Sequence, residues 1–126
     1  LGREDGDLAA ARAALGPGKL LGISCYDDME RAREAGRIGA DYIAFGSFFA
    51  SPTKPGAVRA PLTLLTKARE EFGLPVCAIG GITLQNAPQM IAAGTDLLAV
   101  ITDLFEAPDI RARAAAFTHL YERVTS

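Results

Sequence analysis

The chain has 126 residues, 49% of them hydrophobic and 22% charged, with a formal net charge of −2. That is enough apolar material for one modest domain with a core, and scattered basic residues in a near-neutral balance exclude a nucleic-acid footprint. No apolar run is long enough to span a membrane and no signal peptide opens the chain, so a cytoplasmic protein is the expectation.

In chain order, Leu1-Gly2-Arg3-Glu4-Asp5 reads as the end of a strand and the loop after it, which predicts a numbering that begins inside a longer protein. Leu8–Leu15 is alanine-rich and predicts a helix, stopped by Gly16-Pro17-Gly18. Leu20–Ser24 predicts a short buried strand. Asp27 or Asp28 then caps a helix through Ala35, with Gly36 as its stop. Tyr42–Phe45 predicts the next strand, followed by a long loop from Gly46 to about Ala60. A helix over Leu62–Phe72 is ended by Gly73 and Pro75, and Val76–Ile79 is a strand. Thr83 or Asn86 starts a helix to about Ala93, stopped by Gly94. Leu97–Ile101 is the last strand, and a final helix covers about Ile110 to Val124.

Helices alternating with apolar strands imply repeated βα units around a parallel sheet. Right-handed crossovers leave an open doubly wound sheet or part of a (β/α)8 barrel. Glycine-bearing loops after several successive strands favour the barrel, whose sites draw on many βα loops at one face. Four strands are too few to close it, since a whole barrel takes about 250 residues.

Two loops suit phosphate. Ser51-Pro52-Thr53-Lys54 follows one strand, with Pro52 and Pro55 restricting the backbone; an ammonium flanked by hydroxyls can hold a phosphate or diphosphate. Gly80-Gly81 follows the next strand, where bare amides let an anion approach and a helix beginning near Thr83 would add a favourable dipole. Ile101-Thr102 ends the following strand, so in a barrel its amides would stand beside those of Gly81. Ser24 would end its strand and point to the same rim. No His or Lys is close in sequence on that side, so it reads as a ligand contact rather than a nucleophile. Glu4, Asp5 and Asp7 form an acidic cluster that either ligates Mg²⁺ or opens a solvated helix. His119, the only histidine, falls within the last predicted helix, and Cys25 and Cys77 read as small core residues.

Together these stretches resemble the thiamine-phosphate synthase family. The matching segments are Leu1-Gly2-Arg3-Glu4-Asp5, Gly22-Ile23-Ser24, Gly39 to Gly46, Ser51-Pro52-Thr53-Lys54, Ala78 to Ile82 and Ala99-Val100-Ile101-Thr102. The resemblance implies a (β/α)8 TIM-barrel fold, with residues 1–126 forming the C-terminal half of a single barrel domain, roughly its last four βα units. It implies a Mg²⁺-dependent transferase of thiamine biosynthesis that joins hydroxymethylpyrimidine diphosphate to thiazole phosphate and releases pyrophosphate. By motif position, Asp5 is implied as a Mg²⁺ ligand, and Ser24 and Lys54 as the catalytic contacts to the pyrimidine diphosphate. Ser51, Pro52, Thr53, Gly81, Ile101 and Thr102 are implied at the thiazole phosphate, and Gly80 as a substrate-binding residue. Arg3 stands where the family usually has Gln, and Ser51 where Thr is common. The family's front half supplies another Mg²⁺ carboxylate, so this chain is expected to be inactive alone. A thiazole tautomerase-like relative and a non-catalytic phosphate-binding half-barrel are the alternatives, with small-molecule partners and a homo-oligomer in view.

Overall fold

A computed structural model describes residues 1–49 and 60–125. In chain order the elements are α1 (Leu8–Leu15), β1 (Gly22–Tyr26), α2 (Met29–Arg37), β2 (Tyr42–Phe45), α3 (Thr63–Glu71), β3 (Val76–Ile79), α4 (Ala87–Ala93), β4 (Leu97–Ala99), α5 (Thr102–Phe105) and α6 (Ile110–Thr125). The strands form one parallel sheet in the order β1-β2-β3-β4.

Local chemistry explains most boundaries. Asp7 caps α1 by accepting from the Ala10 amide at 3.0 Å, and Gly16 ends the helix with φ 84°. Asp28 caps α2 by accepting from the amides of Glu30 and Arg31. Gly36 was expected to stop α2, but it lies inside the helix. One glycine costs a helix only about 1 kcal/mol relative to alanine, and the burial of Ala32 and Ala35 beside it offsets that. The first strand starts two residues later than its apolar run suggests and continues to Tyr26. Leu20 is 83% exposed, and the Leu21 amide is taken by a carboxylate rather than by a strand. The last strand ends at Ala99, because Ile101 passes into α5, a four-residue helix too short to leave a periodic signal.

Alternation along the strands separates two faces. Ile23, Cys25, Ile43, Phe45, Val76 and Ala78 are all 0% exposed and pack into the main hydrophobic core with helix residues such as Leu65 and Met90. The other face carries Ser24, Ala44, Cys77 and Leu97 in one register row. At its lower end the Tyr42 ring lies across Gly22, where a Cβ would fall 2.0 Å from the ring. Leu1 adds a fragment of ladder outside β1: its amine donates to the Gly22 carbonyl at 2.6 Å, and its carbonyl accepts from the Ser24 amide at 2.8 Å. The expected strand end at Leu1 is therefore seen as a pair of parallel-sheet bonds flanking Ile23.

The strand entrances share a repeated clamp. The Asp41 amide donates to the Leu21 carbonyl at 2.8 Å, the Leu21 amide donates to Asp41 Oδ2 at 2.7 Å, and Arg12 of α1 donates to the same oxygen at 2.9 Å. In the second half of the chain, the Asp96 amide donates to the Val76 carbonyl and the Val76 amide donates to Asp96 Oδ2, while Arg69 of α3 pairs with Oδ1. Each aspartate ends a Gly-x-Asp turn and sews its own strand to the one before it.

The Leu21 amide first, and the Arg12 guanidinium second, hold the Asp41 carboxyl below the usual carboxylate range. A depressed folded value means the clamp's contribution is complete above the unfolded carboxylate value of about 3.9, and is lost as pH falls through the folded value. Denaturation midpoints followed from pH 7 downward are therefore expected to fall less steeply in the acid limb for Asp41→Asn than for the parent. Identical acid limbs would remove Asp41 from the acid response.

Candidate active site

Parallel strands put all their carboxyl ends at one edge, and four loops leave that edge together. At the end of β1, Tyr26 has φ 57°, and its hydroxyl accepts from the Arg3 amide at 3.2 Å. The Arg3 guanidinium lies 4.1 Å over the Tyr26 ring and pairs loosely with Asp27 at 3.9 Å. These contacts fasten the Leu1–Asp5 turn to the end of β1, and within it Asp5 Oδ2 accepts from the Gly2 amide at 2.6 Å.

The acidic cluster thus divides. Asp7 is consumed as a helix cap, Glu4 is exposed, and Asp5 presents a carboxylate with one oxygen engaged in its turn. Among the described residues no three His, Cys, Asp or Glu side chains converge on a metal position. A single carboxylate at a strand end fits Mg²⁺ only with substrate phosphate oxygens and water completing the sphere, which is how that ion is commonly held.

Ser24 is not at the rim. Since β1 runs on to Tyr26, Ser24 sits mid-strand opposite Ala44, on the face that Ala44 and Cys77 share. Its amide and carbonyl are both used, by the Leu1 carbonyl and by Arg31 Nε at 2.7 Å, so only its hydroxyl is presented to that face.

At the ends of β2 and β3 the backbones nearly touch. A Cβ on Gly46 would lie 2.1 Å from the Ile79 carbonyl oxygen, and one on Gly80 would lie 2.1 Å from Ser47 Oγ. The Phe49 amide donates to the Gly80 carbonyl at 3.2 Å, and the Ala60 amide to the Ser47 carbonyl at 2.8 Å. Phe49 and Ala60 are thus both bonded to this rim. Ser51, Pro52, Thr53 and Lys54 lie outside the described residues.

After β3, Gly80 has φ 104° and Gly81 φ 69°, a left-handed pair that glycine adopts without strain. Of the two expected helix starts, Thr83 and Asn86, the structure takes Asn86, which stands at the N-cap of Ala87–Ala93. Before that helix, Thr83 and Asn86 close a turn: the Thr83 amide donates to Asn86 Oδ1 at 2.8 Å, the Asn86 amide donates to Thr83 Oγ1 at 3.2 Å, and Asn86 Nδ2 donates to the Gly81 carbonyl at 3.0 Å. The helix dipole is therefore displaced from the glycines, and backbone amides are what remain: those of Gly81 and Ile82 donate to no described residue. β4 runs beside β3 with Ile79 opposite Ala99, so Gly81 and Ile101 both stand two residues beyond that pair.

Two residues organise this corner. Asn86, read in the sequence only as a helix start, also closes the turn with Thr83 and Gly81. Asp103 had no local signal: its carboxylate accepts from the Leu84 amide at 2.8 Å and forms an ion pair with Arg113 Nη1 at 2.9 Å. The other ionisable candidates stay away from the rim's chemistry. His119 is exposed on α6 and bonds Glu122 at 2.9 Å. Burial pushes the thiols of Cys25 and Cys77 up to about 11, leaving them protonated and inert near neutrality. An open surface cleft of about 390 Å³, lined by Met29, Arg33, Lys67, Glu70 and Glu71, belongs to α2 and α3; Arg33 and Glu71 pair within it at 2.7 Å.

The family model described as thiamine monophosphate synthase matches residues 1–104. Thiamine-phosphate synthase of Aromatoleum aromaticum is 60% identical over 122 residues, covering 97% of this chain and 59% of that protein. That of an Azoarcus species is 62% identical over 121 residues, covering 96% and 59%. Among solved structures, thiamine phosphate pyrophosphorylase from Pyrococcus furiosus superposes with a TM-score of 0.83 at 36% identity, over 100% of this chain and 59% of that one. The chain thus spans about three-fifths of the length of the relatives it matches.

Proposed function

This chain belongs to the thiamine monophosphate synthase family, and from that premise we propose that it carries the thiazole-phosphate subsite and part of the diphosphate subsite of a thiamine-phosphate synthase. In this reading, residues 1–126 are the C-terminal half of a (β/α)8 barrel, roughly its last four βα units. The four-strand parallel order and the sheet face bearing Ser24, Ala44 and Cys77 support it.

The observation that carries the functional reading is the adjacency of two phosphate-suited loops at one sheet end. The Gly80-Gly81 turn and the Ile101-Thr102 segment leave strands paired at Ile79 and Ala99, with the amides of Gly81 and Ile82 aimed at no described acceptor. Those groups, with Ser51, Pro52 and Thr53, hold the phosphate of the thiazole. Lys54 and the Ser24 hydroxyl bind the diphosphate of the pyrimidine. In the reaction the bond between the pyrimidine methylene carbon and the diphosphate oxygen breaks, the thiazole nitrogen supplies the electron pair for the new C–N bond, and pyrophosphate leaves. No side chain need act as a nucleophile; the demand is for positive charge on the leaving group and for orientation of the two substrates. Mg²⁺, when bound, neutralises charge on the departing diphosphate, and Asp5 is the residue here that would hold it. A cytoplasmic location and a homo-oligomer belong to the same proposal.

The test is a chimera joining residues 1–126 to the front portion of a full-length relative. It is expected to form thiamine phosphate from the two substrates only with Mg²⁺ present, while the 126-residue chain alone forms none. A folded chimera without turnover would sink the assignment, and full turnover by the chain alone would sink its reading as half a site.

A further inference from the structure

We propose that Asp103 is the positioning residue that locks the loop after β3 to the segment after β4, and so sets the spacing of the amides that receive the thiazole phosphate. This inference rests on the functional reading above and extends it to a residue that no motif identifies.

The geometry is specific. Asp103 directly follows Thr102, and Leu84 lies just beyond Ile82. Asp103 Oδ2 accepts from the Leu84 amide at 2.8 Å, which joins the two loops directly. Its second oxygen forms an ion pair with Arg113 Nη1 at 2.9 Å, and the same nitrogen donates a hydrogen bond to the Asp103 carbonyl at 2.8 Å. Arg113 of α6 therefore grips one residue by both side chain and backbone. From Leu84 the turn continues to Asn86, whose side chain holds the Gly81 carbonyl. An unbroken set of bonds thus runs from Arg113 through Asp103 to the turn that orients Gly81.

With both oxygens engaged inside the protein, the Asp103 carboxylate is suited to hold backbone rather than to touch an anion, which its charge would repel. Two loops at the open end of a sheet would otherwise move separately. Amides that must bond one phosphate together gain from being fixed relative to each other before binding. The Asp103 and Arg113 side chains are 23% and 29% exposed, so the pair is partly shielded and holds better than a surface ion pair would.

The experiment titrates thiazole phosphate into the 126-residue chain at a temperature well within the folded baseline, following the amide resonances of Gly81, Ile82 and Thr102. Saturable shifts are expected for the parent. Asp103→Ala is expected to bind about tenfold more weakly, since a charge-assisted bond to the loop is gone. Arg113→Ala should weaken binding in the same direction, and the double variant should be no worse than Asp103→Ala, because the two act as one unit. Asp103→Asn keeps an acceptor for the Leu84 amide and is expected to stay within about threefold of the parent. Affinity that follows the acceptor rather than the melting temperature separates positioning from bulk stability, and the Asn and Arg113 variants decide the matter if Asp103→Ala does not fold. Equal affinities for parent and Asp103→Ala would overturn the positioning role alone. No binding by the parent would overturn both the subsite and this inference.

Discussion

Adding one methyl group at Gly46 is expected to destabilise the protein by about 3 kcal/mol, at the upper end for overpacking, which for a domain of this size lowers the melting temperature by roughly 10 °C. The reason is the nature of the obstacle. The added Cβ would stand 2.1 Å from the Ile79 carbonyl oxygen, 2.8 Å from its Cγ2 and 3.0 Å from its carbonyl carbon. A flexible side chain could swing aside, but a carbonyl at the end of a paired strand moves only with its strand. Gly46 is itself held, because its amide donates to the Tyr26 carbonyl at 3.1 Å. The exits of β2 and β3 would have to part at the rim where the phosphate loops leave. Gly36→Ala is the matched control: a methyl group added there meets no atom within 4 Å, and the position sits inside α2. That change is expected to raise stability by up to about 1 kcal/mol through helix propensity. Thermal melts of the two variants beside the parent check both. A Gly46→Ala protein that melts with the parent would disprove the close approach.

Lys54→Ala, placed in the chimera, is expected to lower kcat by about a hundredfold to a thousandfold, as removal of a group that stabilises developing charge does. The affinity for thiazole phosphate should change only a few-fold, because that phosphate is assigned to the Gly81 and Ile101-Thr102 amides. The support is the Ser-Pro-Thr-Lys-Pro sequence itself, together with the bonding of Phe49 and Ala60 to the strand-end rim. Steady-state kinetics with each substrate varied in turn separate the two effects. An unchanged kcat would end the assignment of Lys54 to the leaving group.

The two central strands were legible residue for residue. Tyr42–Phe45 lies between Asp41 and Gly46, and Val76–Ile79 between Pro75 and Gly80, so each short apolar run is bounded by residues that leave a strand readily. β1 was misplaced because Leu20 and Leu21 are as apolar as the residues after them. Only the Asp41 carboxylate, twenty residues away, decides that the Leu21 amide belongs to a clamp. In the candidate site, Gly80-Gly81 was readable as a glycine turn after a strand, whereas Ile101-Thr102 was read as a strand end but enters α5 beyond Ala99, and Ser24 was expected at a rim that its strand in fact runs past.

By itself the order of residues determined the alternation of helices with short apolar strands and the glycine turns that end several of them. Those follow from local periodicity, turn chemistry and composition, which act over a few neighbouring residues. The tertiary structure alone decided that Asp103 joins Leu84 to Arg113, that Gly46 must lack a side chain because Ile79 passes beside it, and that Asp41 and Asp96 clamp matching strand pairs. Each of these depends on a hydrogen bond or a contact between segments brought together only by folding, and such pairings leave no period in the sequence.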